Sequence, residues 1–179
     1  MRGLRGVSSV RIDTFSFDYW RNVFSQDFPD LKEGLTFEFT SPVDFNYNCL
    51  AWALSCDTLY FDRGQGCYWP WNDASEETAD GWARVCEIHG FRSVPENDIS
   101  FVLGIEKIAI LQNEEGELHA TRQNQNGKWK SKFGGQGPDI DHADLVSLRK
   151  TYGNVVRVLQ RSRPDWPPSK SQPSAPSTV

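Results

Sequence analysis

Between residues 106 and 133 the chain divides into three strand-length runs separated by two glycine-bearing turns, and this pattern commits it to an antiparallel sheet. The runs cover 106–111, 117–123 and 128–133. Asn113-Glu114-Glu115-Gly116 and Asn124-Gln125-Asn126-Gly127 stand between them. Connections this short join antiparallel neighbours, because a parallel pair needs a crossover of about a dozen residues or more. A meander of this kind must bury at least one face against something. The best candidate is the segment that begins at Cys49, where Leu50, Trp52, Ala53 and Leu54 make a helix apolar nearly all round. Such a helix belongs in the interior, and Asn48 or Asn46 is its expected N-cap.

The remaining elements follow from periodicity and punctuation. Phe17, Trp20 and Phe24 recur at helical spacing and predict a short amphipathic helix over 16–26, ended by Pro29 and Gly34. Residues 36–40 alternate as a short strand. Residues 61–73 form a loop rich in glycine and aromatic side chains. Asp73 and Glu76 have the spacing of a capping box, opening a helix over 74–89 that stops at Gly90. The stretch 93–105 reads as loop, as does 134–139. Asp141 caps a short helix through Lys150, and 155–159 is a last strand. The fold class is therefore α+β: a single domain over 14–162, with an antiparallel meander of four or five strands packed on the Cys49 helix and the 74–89 helix. Residues 1–13 are a poorly ordered lead-in. Residues 163–179 are a Pro/Ser-rich disordered tail, which carries Pro164-Asp165-Trp166-Pro167 and lacks apolar surface to fold.

Charge and cysteine usage narrow the function classes. Net charge is −5 with no long run of one sign, so neither nucleic acid nor an anionic membrane is an expected partner. The N-terminal residues lack an apolar segment of signal-peptide length, and no stretch is long enough to span a bilayer, which predicts a cytoplasmic protein. Cys49 and Cys56, seven residues apart on one predicted helix, are separated by about 10 Å of rise, beyond the roughly 7 Å reach of a disulfide. Cys86 and His89 share a helix face, but no second Cys/His pair stands at ligand spacing. No metal and no organic cofactor is expected.

Cys49 is the candidate nucleophile. A thiol on the opening turn of a helix faces unpaired N–H groups and the positive end of the dipole, which favour thiolate. His119 opens the second strand of the meander and is the candidate base, provided that it meets Cys49 on one side of the sheet. Ser131, across one hairpin turn, is the candidate third residue. A hydroxyl orients imidazole less firmly than a carboxylate does, so Asp139 and Asp141 are alternatives, and His142 is a reserve base. Asn48 and Asn46 are candidates for capping the helix or for donating to an oxyanion. Tyr68, Trp69 and Trp71 are candidate walls of a substrate groove. Each residue also has a plain reading: buried Cys49 as core packing, the asparagines as caps, and the aromatic loop as a plug at the edge of the domain.

Cysteine helix first, then a meander bearing a histidine and a polar third residue, is the order of papain-like hydrolases. The chain resembles their compact bacterial branch, the NlpC-type and CHAP-type amidases and the transglutaminase-like group. A closer resemblance is to a family of uncharacterised bacterial proteins sharing N-C-x-A-W-A (48–53), Trp-Pro (69–70), E-K-x-A-[IL] (106–110), H-A-x-R-Q (119–123), W-x-S-K-x-G (129–134), I-x-H (140–142) and Y-G-x-V (152–155). That likeness covers roughly 44–160 and implies no activity. The papain-like likeness implies a cysteine-dependent amide hydrolase (peptidase, amidase or deamidase) acting on a protein or peptide. A second reading is a non-catalytic interaction module on the same fold, an accessory or immunity partner in a toxin cluster, with the aromatic loop as its binding surface.

Overall fold

The computed structural model describes residues 17–64, 66–71 and 77–163. The lead-in, the Asp73 and Glu76 pair and the Pro/Ser-rich tail beyond Arg163 lie outside them. Seven strands form one antiparallel sheet: β1 (Phe37–Ser41), β2 (Arg92–Val94), β3 (Ile105–Gln112), β4 (Leu118–Gln123), β5 (Trp129–Lys132), β6 (Asp139–His142) and β7 (Asn154–Ser162), in the order β1-β6-β5-β4-β3-β7-β2. The expected meander is its centre, with β4 paired to β3 and to β5. The strand count exceeds the expected four or five because two segments read as loop or cap are recruited by neighbours. Residues 92–94 pair with β7. Residues 139–142 lie between β5 and β1. Asp141, expected to cap a helix, is a strand residue, and Asp144 instead accepts the Ser147 N–H at 2.9 Å.

Both faces of the sheet are covered, which explains why β3 is buried along six consecutive residues rather than on alternate ones. On one face α2 (Cys49–Ala53), its C-cap Leu54 and α3 (Ala79–Ile88) pack Leu50, Ala51, Leu54, Ala83, Val85 and Cys86 against Ile108, Ile110, Ala120 and Leu159. On the other, α1 (Phe17–Asp27) packs Phe24 against an aromatic cluster, with Phe133 at 4.5 Å and Phe37 at 5.3 Å between ring centroids. The predicted amphipathic spacing holds there: Phe24 is fully buried, Trp20 half-buried and Phe17 exposed at the rim. Helix α3 begins at Ala79, later than expected. Its cap is Thr78, whose Oγ1 accepts the Gly81 N–H at 3.1 Å. Helix α2 is only five residues long, so Cys56 lies beyond its end, and all four cysteines are free thiols.

A short helical turn, 146–148, and α4 (Arg149–Tyr152) return the chain to β7 through Gly153. Gly153 has φ 75°, and a Cβ there would overlap the Gln112 carbonyl oxygen and Asn113 Cα at the end of β3. Glycine is required twice over, once by the backbone angle and once by the close approach of two chains. Gly153→Ala is expected to cost about 3 kcal/mol or more, read as a lowered urea midpoint with unchanged m-value. A shift below about 1 kcal/mol would show that the α4–β7 corner relaxes freely.

Candidate active site

Asn48 provides the cap that sets Cys49 at the start of α2. Its Oδ1 accepts the Ala51 N–H at 3.1 Å, and its Nδ2 donates to the Phe61 carbonyl at 2.7 Å. Both ends of the amide are thereby engaged, so Asn48 caps the helix through its oxygen and one of its two amide hydrogens. Asn46 is exposed, and its backbone N–H donates to Asp44 at 2.9 Å. Cys49 is 6% exposed. Burial, the largest influence, pushes its thiol up. The N–H groups of Ala120, Leu50 and Cys49 and the charge of Lys132 pull the other way without reversing it. The expected lowering at a helix start therefore does not prevail. A helix of five residues has little dipole, and desolvation outweighs it. At neutral pH Cys49 is a thiol.

His119 and Ser131 come together as expected, with His119 Nε2 and Ser131 Oγ 3.2 Å apart. The surprise is the next group: Ser131 Oγ lies 2.9 Å from Nε2 of His142, and His142 Nδ1 donates to the Asp144 carbonyl at 2.7 Å. His142 was expected in a loop or helix cap. It sits instead on β6, and cross-strand register places Thr121, Ser131 and His142 on one face. The His119 ring stacks on Tyr152, 3.9 Å between centroids and 10° from parallel. Burial pulls His119 down to about 3, with His142 adding a smaller repulsion. Burial likewise takes His142 down to about 4, against the opposing Asp144 carbonyl and nearby carboxylates. Both rings are neutral at pH 7. Neither alternative carboxylate reaches them. Asp139 accepts from the Tyr47 hydroxyl at 3.2 Å, and Asp141 pairs with Lys130 at 3.4 Å.

The relation between Cys49 and His119 differs from the expected one. The body of α2 packs on the Ala120 face, whereas the His119 ring packs with Phe133 and Tyr152 on the opposite face. Among the described residues no hydrogen bond joins the thiol to the imidazole. Two contacts nevertheless gather them at one end of the sheet. The N–H of Ala120, the residue after His119, reaches the Cys49 sulfur. Tyr152, stacked on His119, has a hydroxyl pushed up mainly by its own burial, and a thiolate at Cys49 would push it further. Pairing of β4 with β5 ends at Thr121 and Ser131, so the Ala120 end of β4 lies past the last β5 pair.

Beside this cluster a cavity of about 360 Å³ is lined by Asn48, Phe61, Asp62, Trp69, Trp82 and Leu118, the residues before Cys49 and before His119 included. Trp69 and Trp71 meet edge to face at 6.0 Å and border a further cavity of about 280 Å³. Tyr68, 41% exposed, packs edge to face on Phe61 at 5.1 Å. Of the three expected groove residues, Trp69 is the one that shares a cavity lining with Asn48, the residue before the thiol, and Trp71 is partly covered by Arg84 at 4.5 Å.

Sequence reasoning missed a second polar centre. Glu106, with a side chain 1% exposed, pairs with Arg161 at 2.6 Å, Arg163 at 3.2 Å and, without a hydrogen bond, Arg122 at 3.7 Å. Arg122 also donates to Ser55 and lies over Trp52 at 4.9 Å. Glu106, Arg122, Arg163, Trp52 and Ser55 line a cavity of about 390 Å³ at the far end of α2. The four charged partners come from three strands and the residue after β7, so no local pattern announces them.

The fold and site define a mixed helix-and-sheet domain whose buried cysteine starts a helix against a strand bearing a buried histidine. The chain belongs to the family described as a domain of unknown function, DUF7689, which matches residues 38–160. Comparison with curated proteins and with solved structures finds no match. Among the described residues no helix is long and apolar enough to cross a membrane, and no group of three or more His, Cys, Asp or Glu is placed to hold a metal ion.

Proposed function

We propose that the domain is a cysteine-dependent amide hydrolase of papain-like organisation, with Cys49 as nucleophile and His119 as base and then acid. The observation that carries this reading is the hydrogen-bonded support behind His119, combined with a Cys49 sulfur held against the next peptide of the same strand. Both partners are neutral at rest, so the nucleophile forms only as attack proceeds. On this proposal the two meet around the open end of β4, past its last β5 pair, and not on one side of the sheet as expected: His119 takes the thiol proton while sulfur bonds to the carbonyl carbon, and the carbonyl electron pair moves to oxygen. The N–H groups of Cys49 and Ala120, which converge at the sulfur, are the donors for that oxyanion. Collapse breaks the C–N bond, and His119 returns the proton to the departing amine. Water then attacks the thioester with His119 again as base. The cavity at Trp69 and Trp82 supplies the wall for a protein or peptide substrate.

The test is mass spectrometry after exposure of the native protein to an electrophilic peptide-amide probe. Labelling is expected at Cys49 and falls at least about 100-fold in His119→Ala. Equal labelling of Cys49 and Cys56 would sink the proposal. The second reading, a non-catalytic interaction module in a cytoplasmic toxin cluster, is favoured by the deep burial of Cys49 and the raised thiol. On that reading the aromatic surface at 68–71 binds a protein partner, and Cys49→Ala keeps its biological effect.

A further inference from the structure

Four groups stand in line behind the candidate base: His119 Nε2, Ser131 Oγ, His142 Nε2, and on the far side of that ring the Asp144 carbonyl facing Nδ1. Hydrogen-bond chemistry leaves little freedom in such a row. A carbonyl only accepts, so His142 Nδ1 carries a proton. His142 is fully buried, and its Nδ1 faces a carbonyl oxygen, not a carboxylate oxygen. Asp141 and Asp144 are the carboxylates near enough to influence it, and Asp144 directs its own side chain to the Ser147 N–H. The ring is neutral, and its Nε2 is then a bare acceptor. Thr121 cannot be that acceptor's chief donor, since its hydroxyl donates to the Lys130 carbonyl at 2.9 Å and stands 3.4 Å from His142. Ser131 has one hydroxyl proton, and it goes to His142 at 2.9 Å. What remains for His119 is the Ser131 lone pair, which requires a proton on His119 Nε2.

We infer that Ser131 and His142 form a directed relay that holds His119 as the Nε2–H tautomer and leaves Nδ1 bare. His142 is thus a positioning residue that acts through Ser131. The relay answers the weakness of serine as a third residue: a lone hydroxyl can turn either way, whereas one committed to a second imidazole can only accept from the first. Stacking on Tyr152 fixes the plane of the same ring. The catalytic use of the bare Nδ1 rests on the cysteine-hydrolase reading, but the proton arrangement does not.

Long-range proton–nitrogen correlation spectra of the full chain labelled with ¹⁵N-histidine, at pH 7, test it directly. The three histidines are assigned with His89→Gln and His142→Gln. The expected result is His119 protonated on Nε2 only and His142 on Nδ1 only. His119 protonated on Nδ1, an even mixture of tautomers there, or a His142 imidazolium would each overturn the relay. If both substitutions at the relay unfold the domain, this wild-type spectrum still decides. Where they fold, Ser131→Ala slows probe acylation of Cys49 by at least about tenfold, and Ser131→Thr, which keeps a hydroxyl, restores it. The Nε2–H tautomer with an inert Cys49 keeps the relay and removes the hydrolase reading. A reactive Cys49 with His119 protonated on Nδ1 removes the relay alone.

Discussion

Replacing Glu106 by alanine is expected to destabilise the domain by about 3–5 kcal/mol, the usual cost of removing one partner from a buried ion pair. The carboxylate is the common counter-charge for Arg161, Arg163 and Arg122. Of these, Arg122 is the deepest, and burial, its largest influence, already pulls its pKa down despite Glu106. Without Glu106, Arg122 stands over Trp52 with its Nε desolvated and lacking a hydrogen bond, while Arg161 keeps its His89 carbonyl and its place over Phe91. The strain falls on the junction of β3, β4 and β7, the middle of the sheet, so cooperative unfolding is the expected response. Urea denaturation reads the effect as a lower midpoint at constant m-value. Glu106→Gln, which keeps volume and an acceptor, loses less. A loss below about 1 kcal/mol for the alanine variant would mean that the arginines reach solvent, and that the cluster is a surface network.

Acidification is expected to have an effect of similar size. An ordinary histidine titrates near 6.5, whereas His119 and His142 are held at about 3 and about 4 by burial. Below pH 6.5 the unfolded chain takes up two protons that the native state refuses. The stability from these groups is therefore complete above the unfolded value and is lost as pH falls toward the folded values. With two protons at stake the slope approaches about 2.7 kcal/mol per pH unit, and two units of acidification remove about 5 kcal/mol, comparable to the whole stability of many domains. His89, also lowered chiefly by burial, adds in the same direction. Asp139, raised chiefly by burial, acts in the opposite sense. Urea midpoints measured from pH 7 to 4.5 are expected to drop steeply, and His142→Gln is expected to flatten the slope by about one proton. A pH-independent midpoint between 7 and 5 would show that neither ring is kept neutral by the fold.

The features legible in the sequence are those that neighbours along the chain decide. The meander was visible because its turns and its strand-length runs are local, and β3, β4 and β5 appear where the runs were read. The amphipathic spacing of α1 and the capping of α2 by Asn48 have the same origin. Residue order also brought His119 and Ser131 within hydrogen-bond reach, because one hairpin register fixes how far apart they lie.

What packing decides was not legible in this way. Asp139-Ile140-Asp141-His142 has the composition of a loop or cap, and it becomes a strand because β5 and β1 each offer it an edge. That placement turns His142, read from the sequence only as a reserve base, into the end of a buried relay. Glu106 and its arginines are separated by up to 57 residues and carry no shared motif. The direction of the Cys49 thiol was likewise a tertiary outcome. The helix start argues for thiolate, but the folded chain buries the sulfur, and desolvation exceeds the pull of three N–H groups and one lysine. Periodicity and caps are properties of a few consecutive residues. Protonation state and side-chain partnership depend on which distant surfaces exclude water, and only the folded chain determines those.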